Sequence, residues 1–563
     1  MAALTPVLKL YLRRRRSQGE GLLGRLTSAP ERHQQETLVR ILRANAGTTY
    51  GREHGFDRIG SIRDFQDAVP INSYEELRPY VERVVDGSDP HALTADRVEM
   101  FTNTSGTTSK PKLIPVTAGG RHAERRVKET WMAYLAADYP SLLSGRAFYL
   151  FNNAEEYKTA SGLWVGSNAG LMYKNTNAVL RSLQSVPYEV CLIEDYESRY
   201  YVILRHLLAT QISMMACINP SSTLLLAELA NRHAEPLIRD IYDGGLRDGL
   251  ELSAEEYSFF RGPLKPNRER GRELARLLAD EGRLRPERYW PRLKVLNSWK
   301  GPGVNAFIEK CKEWYGDLPT RDVGYGSSEF RTGLVVSDDG SQNIPLPDNY
   351  LYEFIPADER EPYQDGTKGP LLLHELEEGR QYLIVQTGIH GLYRYDIDDI
   401  VEVNGFHGRT PTIHFVQKAK TVTSITGEKV YETQVIEAME RVAARRPALK
   451  PSFFICYADV DASNYKLCVE YDEPPPPGLL DELPKLFDEA LGEVNIEWPY
   501  KRASMRLHEP EVFRLPAGSS IRLVQHIGKN SIMDNQAKIP RLSRDVDAHF
   551  EVFGLDREPA HAR

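Results

Sequence analysis

The chain has 563 residues, 41% hydrophobic and 27% charged, the proportions of an ordinary globular protein long enough for two or more domains. A formal net charge of -8 excludes nucleic-acid binding as a whole-chain property, with the run Arg13 to Arg16 as the local exception. Five cysteines without a CxxC pair suit a reducing, cytoplasmic compartment, and the 14 histidines show no HExxH or paired ligand spacing, which speaks against a metalloenzyme.

At the N-terminus, "MAALTPVLKLYLRRRR" places its apolar run before the arginines, the reverse of a secretory signal. It predicts a solvated first helix, with contact to a membrane or partner through a basic amphipathic face as the alternative. Residues 31–45 predict a helix with Leu38, Ile41 and Leu42 on one face. Ser73 stands three residues before Glu76, a capping-box spacing, and Leu77, Tyr80 and Val81 follow at helical spacing. "RVEMFTNT" predicts a strand that enters a hydroxyl-rich loop. Residues 121–136 then predict a helix with Val127, Trp131, Tyr134 and Leu135 on one side. Residues 196–280 predict mainly helix. The apolar stretch Ile212 to Ala230 is broken by Asn219, Pro220, Ser221 and Ser222, so no membrane span is expected. Residues 349–403 predict short strands in an antiparallel sheet or small barrel. Beyond about Lys418 come a helix bearing Val435, Ile436 and Met439, two alternating strands, and a surface loop at Pro474 to Pro477. The expected organisation is a domain over 1–420, a hinge at 421–427 and a C-terminal domain over 428–563.

Four segments carry chemistry. "FTNTSGTTSKPKLIPVT" groups Thr102, Thr104, Ser105, Thr107 and Thr108 around Gly106, with Lys110 and Lys112 beyond. No Gly-Lys-Ser/Thr follows, so this is not a Walker loop, and a Walker-type kinase or ATPase is disfavoured. The hydroxyls, the freed backbone amides and a lysine can still wrap a polyphosphate. "GYGSSEF" holds Tyr325 four residues before Glu329: an aromatic face for a purine and a carboxylate for Mg²⁺. "GLYRYDIDDIVEV" places Asp399 at the start of a predicted strand, within reach of ribose hydroxyls. "NQAKIPRL" supplies Lys538 in a short loop bounded by Pro540. Each segment alone is weak, and a Ser/Thr-rich turn or an Asp ahead of a strand is usually structural. Their order and spacing together are specific.

In that combination the chain resembles the adenylate-forming superfamily, and within it the Gretchen Hagen 3 (auxin-responsive) family of acyl acid amido synthetases. The residues that carry the resemblance are "TSGTTSKPKLIPVT", "YGSSE", "YRYDIDD" and "NQAKIPR", supported by "SYEELRPYVERVVDG", "INPSSTLLLAELA", "WPRLKVLNSWKG" and "TGEKVYE". Together they span roughly residues 60 to 545, and the Arg and Pro content suits a bacterial member. There are three departures. Ser109 or its neighbour replaces a glycine expected late in the phosphate loop, Asp398 stands where the family usually has Gly before the ribose aspartate, and Lys418 where Arg is common.

The resemblance implies an α/β fold: a large N-terminal adenylate-forming domain with mixed sheets and a small β-barrel-like part, and a small, mobile α+β C-terminal domain. It implies ATP and Mg²⁺ as cofactors, and a small-molecule carboxylic acid and an amino acid or other amine as partners. It also implies a monomer without nucleic-acid or membrane partners. By the same resemblance Thr104, Ser105, Gly106, Thr107 and Thr108 hold phosphate and Lys112 takes the departing pyrophosphate. Tyr325, Ser327 and Ser328 take the nucleotide, Glu329 takes Mg²⁺ and Asp399 the ribose. Lys538 bridges phosphate and carboxylate, and Lys429 is a second cation near the nucleotide, with a helix-start surface lysine as its plain alternative. Trp131, Phe330, Leu334 and Val335 are expected at the acyl group, although such side chains are more often core. Arg331 is expected on an anionic substrate group or in a surface ion pair. The competing functions are an acyl-CoA or carrier-protein ligase, which differs only in its acceptor, and a non-catalytic nucleotide-binding regulator.

Overall fold

The computed structural model describes residues 5–104, 112–301, 304–338, 342–359, 368–419, 422–476, 478–520, 522–523 and 541–555. The described residues up to Ala419 form one compact unit and those from Val422 form another. Ser105, Gly106, Thr107, Thr108 and Lys538 lie outside the described residues.

The first unit opens with helices Thr5–Ser28 and Pro30–Asn45. Arg15 pairs with Glu129 at 2.9 Å and Arg16 reaches Asp138 at 3.6 Å, so half of the arginine run ties the first helix to the helix Ala118–Asp138. The expected capping box is present at the start of helix Tyr74–Asp86: Ser73 receives the Glu75 amide while its own amide donates to Glu76 at 2.8 Å.

One sheet is mixed, in the order Lys112–Thr117, Val98–Thr104, Trp164–Val165, Tyr157–Lys158. Its first two strands are antiparallel, with Thr104 opposite Lys112, so the hydroxyl-rich segment joins the two arms of a hairpin. This corrects the expected strand–loop–helix order. A second strand intervenes, and the helix begins at Ala118, where the Thr117 hydroxyl accepts from the Gly120 amide at 3.1 Å. A second sheet is parallel, in the order Arg146–Tyr149, Ile212–Ala216, Leu296–Ser298, Thr320–Asp322. Helices Tyr196–Leu208 and Pro220–Arg232 flank its second strand in the chain, as crossover connections require. A third sheet is antiparallel: Leu371–Leu372, Leu351–Pro356, Gln381–Thr387, Tyr395–His407, Thr410–Lys418. Among the described residues no pairing joins its first strand to its last, so the barrel-like expectation gives way to an open five-stranded sheet. Its strands and the N-terminal helices share a core that includes Leu38, Ile41, Phe65, Leu77, Tyr382 and Val401, all buried.

The C-terminal unit has a four-stranded sheet, in the order Glu511–Arg514, Asn464–Glu470, Phe453–Asp459, Leu542–Ser543. Helices Glu432–Arg445, Leu483–Val494, Glu497–Ala503 and Val546–Phe553 complete this α+β unit. The first helix is preceded by a two-strand pairing of Val422–Thr423 with Val430–Tyr431.

Candidate active site

The parallel sheet aims its strand ends at one region, the usual place for a ligand in open α/β sheets. The strand Leu296–Ser298 leads into Trp299, and Thr320–Asp322 leads into the turn holding Tyr325. That turn depends on Gly324, whose φ of +91° favours glycine and whose missing Cβ would meet the Gly333 carbonyl oxygen at 2.8 Å. Asn343 accepts from the Tyr325 amide, and the Gly333 amide donates to the Tyr325 carbonyl at 2.9 Å. Asp322 accepts from the Gly324 amide at 2.8 Å, and its carbonyl accepts from the Trp131 indole at 2.9 Å.

Tyr325 is buried, and its hydroxyl donates to Asp399 Oδ2 at 2.6 Å. Burial first, and then the Asp399 charge, push the phenol well above its ordinary range, so it stays a donor. Asp399 is the fifth residue of strand Tyr395–His407, not the start of a strand, and it lies directly opposite Lys418 on the next strand. That register explains their ion pair. Lys418 Nζ also donates to the Ile397 carbonyl at 2.7 Å. Asp398, at the position where the resemblance leads one to expect Gly, has φ +62°. This left-handed conformation explains the glycine, and Asp is among the few side chains that tolerate it. The Phe415 ring lies 6.1 Å from Tyr325 and 5.9 Å from Trp299, which makes an aromatic row beyond the strand ends.

Ser327 accepts from the amides of Glu329 and Phe330 at 3.1 and 3.2 Å, while its own amide donates to the Phe330 carbonyl at 2.8 Å. It therefore shapes the turn that presents Glu329. Ser328 is exposed and Glu329 half-buried. His390 is buried beside this turn, with its ring 5.1 Å from Phe330, and burial pushes it down to about 4, so it is neutral. Lys112 sits 5.8 Å from the Tyr74 ring, and the Tyr74 hydroxyl accepts from the Leu113 amide at 2.8 Å, which fixes the strand that carries Lys112.

The Arg331 guanidinium donates to the carbonyls of Val323 and Gly324, bracing the Tyr325 turn. Phe330 is buried in the core of the antiparallel sheet. Trp131, Leu334 and Val335 are buried in the core beneath the first helix. Arg394, in "YRYDIDD", is buried with φ +43° and pairs with the fully buried Glu353 at 3.0 Å. It also donates to the carbonyls of Gln66 and Val69 at 2.9 and 2.6 Å, so it fastens the sheet to the N-terminal helices. Sequence reasoning missed Asn343, Phe415, Trp299 and Tyr74. Only the last two lie in segments that the resemblance flagged.

In the C-terminal unit, Lys429 is half-buried and directly precedes the strand Val430–Tyr431, so it is not at a helix start. Beside it, the buried Glu428 carboxylate accepts from the amides of Ile425 and Thr426 at 2.6 and 2.9 Å. It also accepts from the Thr426 and Tyr465 hydroxyls, both at 2.8 Å. Among the described residues no group of three metal-ligating side chains occurs, and no helix is long and apolar enough to cross a membrane.

Comparison with known proteins gives the same order of parts. Models of the GH3 family match in three pieces: the N-terminal domain over residues 21–320, the central domain over 343–418 and the C-terminal domain over 433–547. The jasmonoyl–L-amino acid synthetase JAR6 of Nicotiana attenuata is 27% identical over 439 residues, covering 75% of this chain and 74% of its own. The indole-3-acetic acid-amido synthetase GH3.17 of Arabidopsis thaliana is 26% identical over 569 residues, covering 93% and 92%. The solved structure of AtGH3.15 acyl acid amido synthetase in complex with 2,4-DB aligns with a TM-score of 0.65 at 21% identity, over 96% of each chain, and shares the fold. With family models matched in order from residue 21 to residue 547, the chain belongs to the GH3 family.

Proposed function

We propose that this protein activates a small carboxylic acid with ATP as an acyl-adenylate, releasing pyrophosphate, and then transfers the acyl group to an amino acid or other amine. The observation that carries this reading is the family match along most of the chain, joined to the Tyr325–Asp399–Lys418 constellation at the strand ends. The relatives' names are those of amido synthetases.

A carboxylate is a poor electrophile at neutral pH, and conversion to an acyl-adenylate gives it AMP as a leaving group. The carboxylate attacks the α-phosphate, and the growing charge on the departing pyrophosphate needs donors fixed in advance. In this reading Thr104, Ser105, Gly106, Thr107 and Thr108 wrap the phosphates and Lys112, steadied by Tyr74, takes the pyrophosphate. Tyr325 flanks adenine within the Trp299–Phe415 row, with Ser327 and Ser328 beside it, and Asp399 receives the ribose hydroxyls. Lys538 bridges phosphate and carboxylate, and Lys429 adds a second cation. Glu329 is a single carboxylate on a braced turn. That fits Mg²⁺, which takes one or two protein carboxylates and satisfies its other positions with phosphates and water. The ion supplies neutralisation of phosphate charge. The acyl group lies near Trp131, Phe330, Leu334 and Val335, which act from within the core as its walls. The C-terminal domain (428–563) moves about the hinge 421–427 between the two steps. The protein works as a monomer in the cytoplasm of a bacterium. The cytoplasmic part of that reading rests on the composition and the five cysteines, all of them buried.

The test is incubation with ATP, Mg²⁺ and a pool of acids, with and without amino acids, followed by mass spectrometry. AMP plus a new acid–amino acid mass is expected. AMP without an amide moves the acceptor to coenzyme A or a carrier protein. Lys538→Ala is expected to abolish acid-dependent pyrophosphate release while ATP binding survives, and normal release by that variant removes Lys538 from the mechanism.

A further inference from the structure

Two helices of the first unit meet through two rungs of side chains. Helix Ala118–Asp138 places Glu124, Lys128 and Trp131 at i, i+4 and i+7, on one stripe. Helix Asn168–Lys174 places Asn168 and Met172 at i and i+4. Asn168 Nδ2 donates to Glu124 Oε2 at 2.7 Å, and Lys128 Nζ donates to Met172 Sδ at 3.0 Å. Lys128 also closes on Glu124 Oε1 at 2.9 Å, so one carboxylate holds the amide and the ammonium side by side. Burial opposes the Glu124 charge, but Lys128 and then Arg331 keep its carboxyl below the ordinary range.

Backbone contacts fix where this pair of helices sits. The Trp131 indole donates to the Asp322 carbonyl at 2.9 Å, so the stripe is applied to the carboxyl end of the parallel sheet. The short helix is seated on the segment that leaves the strand Arg146–Tyr149 of the same sheet. There the Ser167 amide donates to the Asn153 carbonyl at 2.7 Å, and a Cβ on Gly170 would stand 2.1 Å from the Asn152 carbonyl oxygen. Just before the helix, the Gly166 carbonyl accepts from the Thr102 hydroxyl at 2.9 Å, on the strand that enters the hydroxyl-rich segment. The cluster thus neighbours both that hairpin and the carboxyl ends of the parallel strands.

The two rungs are not equally satisfied. Asn168 gives its N–H to Glu124, while its Oδ1, shielded from solvent, has no hydrogen-bond partner among the described residues. A shielded acceptor without a donor costs free energy that a bound donor recovers. On the next rung Lys128 meets a thioether, a weak acceptor on a side chain that changes rotamer readily. A missing donor and a poor acceptor therefore stand on neighbouring rungs, both anchored to Glu124. A hydroxyl group supplies both needs at once: its O–H for Asn168 Oδ1 and its lone pairs for Lys128, once Met172 swings aside.

We propose that the Glu124–Lys128–Asn168 cluster reads a hydroxyl group on the carboxylic acid, that hydroxylated acids are therefore the substrate class, and that Met172 is the side chain the hydroxyl displaces. The inference rests on the acid-activating reading and concerns the end of the acid away from its reacting carboxylate. Asn168 and Lys128 set specificity and take no part in the chemistry.

The test measures acid-dependent pyrophosphate release by the full-length protein on matched pairs of acids: benzoate and para-hydroxybenzoate, phenylacetate and para-hydroxyphenylacetate, octanoate and ω-hydroxyoctanoate. Wild type is expected to favour the hydroxylated member of at least one pair by about tenfold or more in kcat/KM, because a site built to pair with a hydroxyl rejects the analogue that lacks it. Asn168→Leu should bring that pair within about threefold by raising KM for the hydroxylated acid, with the KM for ATP within about twofold of wild type. Lys128→Met should do the same, and Met172→Leu should keep the preference. Absence of a preference for the hydroxylated acid in every pair overturns the proposal. So does a preference that survives both Asn168→Leu and Lys128→Met. A fall in kcat for all acids alike, joined to a higher KM for ATP, reduces the cluster to bracing between two helices and also overturns it. If no acid releases pyrophosphate, the acid-activating reading fails separately, and titration calorimetry of the same pairs decides the site. Hydroxyl-dependent binding that Asn168→Leu abolishes then supports the site, and its absence overturns it. Circular dichroism guards against a folding defect, and Asn168→Ser carries the test if the leucine and methionine variants fail to fold.

Discussion

The region around Asp399 and the region around Lys501, on helix Glu497–Ala503 of the C-terminal unit, handle charge in opposite ways. In the first, each buried charge has a named partner: Asp399 has Tyr325 and Lys418, and Arg394 has Glu353 and two backbone carbonyls. In the second, Lys429 and Lys501 share a neighbourhood with Arg506 and no carboxylate closes on either ammonium among the described residues. The difference teaches which buried charges hold the fold and which strain it. Balanced charge in a core is scaffolding that fixes geometry, whereas burial and then the neighbouring cations Arg506 and Lys429 push the Lys501 ammonium down to about 8.

Removing a partner from the balanced region gives the largest effect. Arg394→Met leaves Glu353 buried without its cation and frees two carbonyls, so it should cost about 3–5 kcal/mol, the range for breaking a buried pair. Chemical denaturation followed by fluorescence measures this, and a loss below 1 kcal/mol would mean that Glu353 is neutralised in some other way. Asp399→Asn comes next. It removes the acceptor for Tyr325 and the counter-ion of Lys418 at once. ATP-dependent pyrophosphate release should fall at least tenfold, through the KM for ATP, and an unchanged KM would move the ribose contact elsewhere. Tyr325→Phe keeps the ring against Phe415 and deletes a single donor. A threefold to tenfold rise in the KM for ATP is expected, about the net worth of one hydrogen bond.

What the sequence made legible was local or carried by motif. The capping box at Ser73 and Glu76 is a three-residue rule, and it is present. The helix after the hydroxyl-rich segment was legible, but its start was misplaced by three residues. The interaction that decides it, the pairing of Lys112–Thr117 with Val98–Thr104, is a hairpin across the loop. Asp399 was marked as a site residue, yet its partner Lys418 read only as a departure from the family, because cross-strand register is invisible in a linear pattern. Arg394 and Glu353 lie 41 residues apart, and nothing in the spacing of either announces the other. Asn343 reaches Tyr325 across 18 residues, and Phe415 comes from the strand Thr410–Lys418. Asp398 shows the reverse case. The glycine it replaces was a visible oddity in the sequence, and a φ of +62° supplies its physical reason.

The smallest expected effect is the sharpest test of the comparison, because its sign is opposite to that of Arg394→Met. Lys501 titrates at about 8 in the folded protein against an ordinary 10.5. The unfolded chain therefore binds the proton more tightly than the folded one. The penalty is fully present below pH 8 and is relieved as pH rises from about 8 to 10.5, since the folded state then no longer has to hold the charge. Lys501→Met removes the penalty outright. At pH 7 the variant should melt a degree or two above wild type, and the gap should narrow by pH 9.5, where most folded wild-type molecules carry a neutral lysine. Thermal melts at those two pH values, in buffers free of phosphate and sulfate, read this directly. A variant that melts well below wild type at pH 7 would mean that Lys501 has a stabilising partner in the folded protein. The two regions would then be built alike, both of balanced charge.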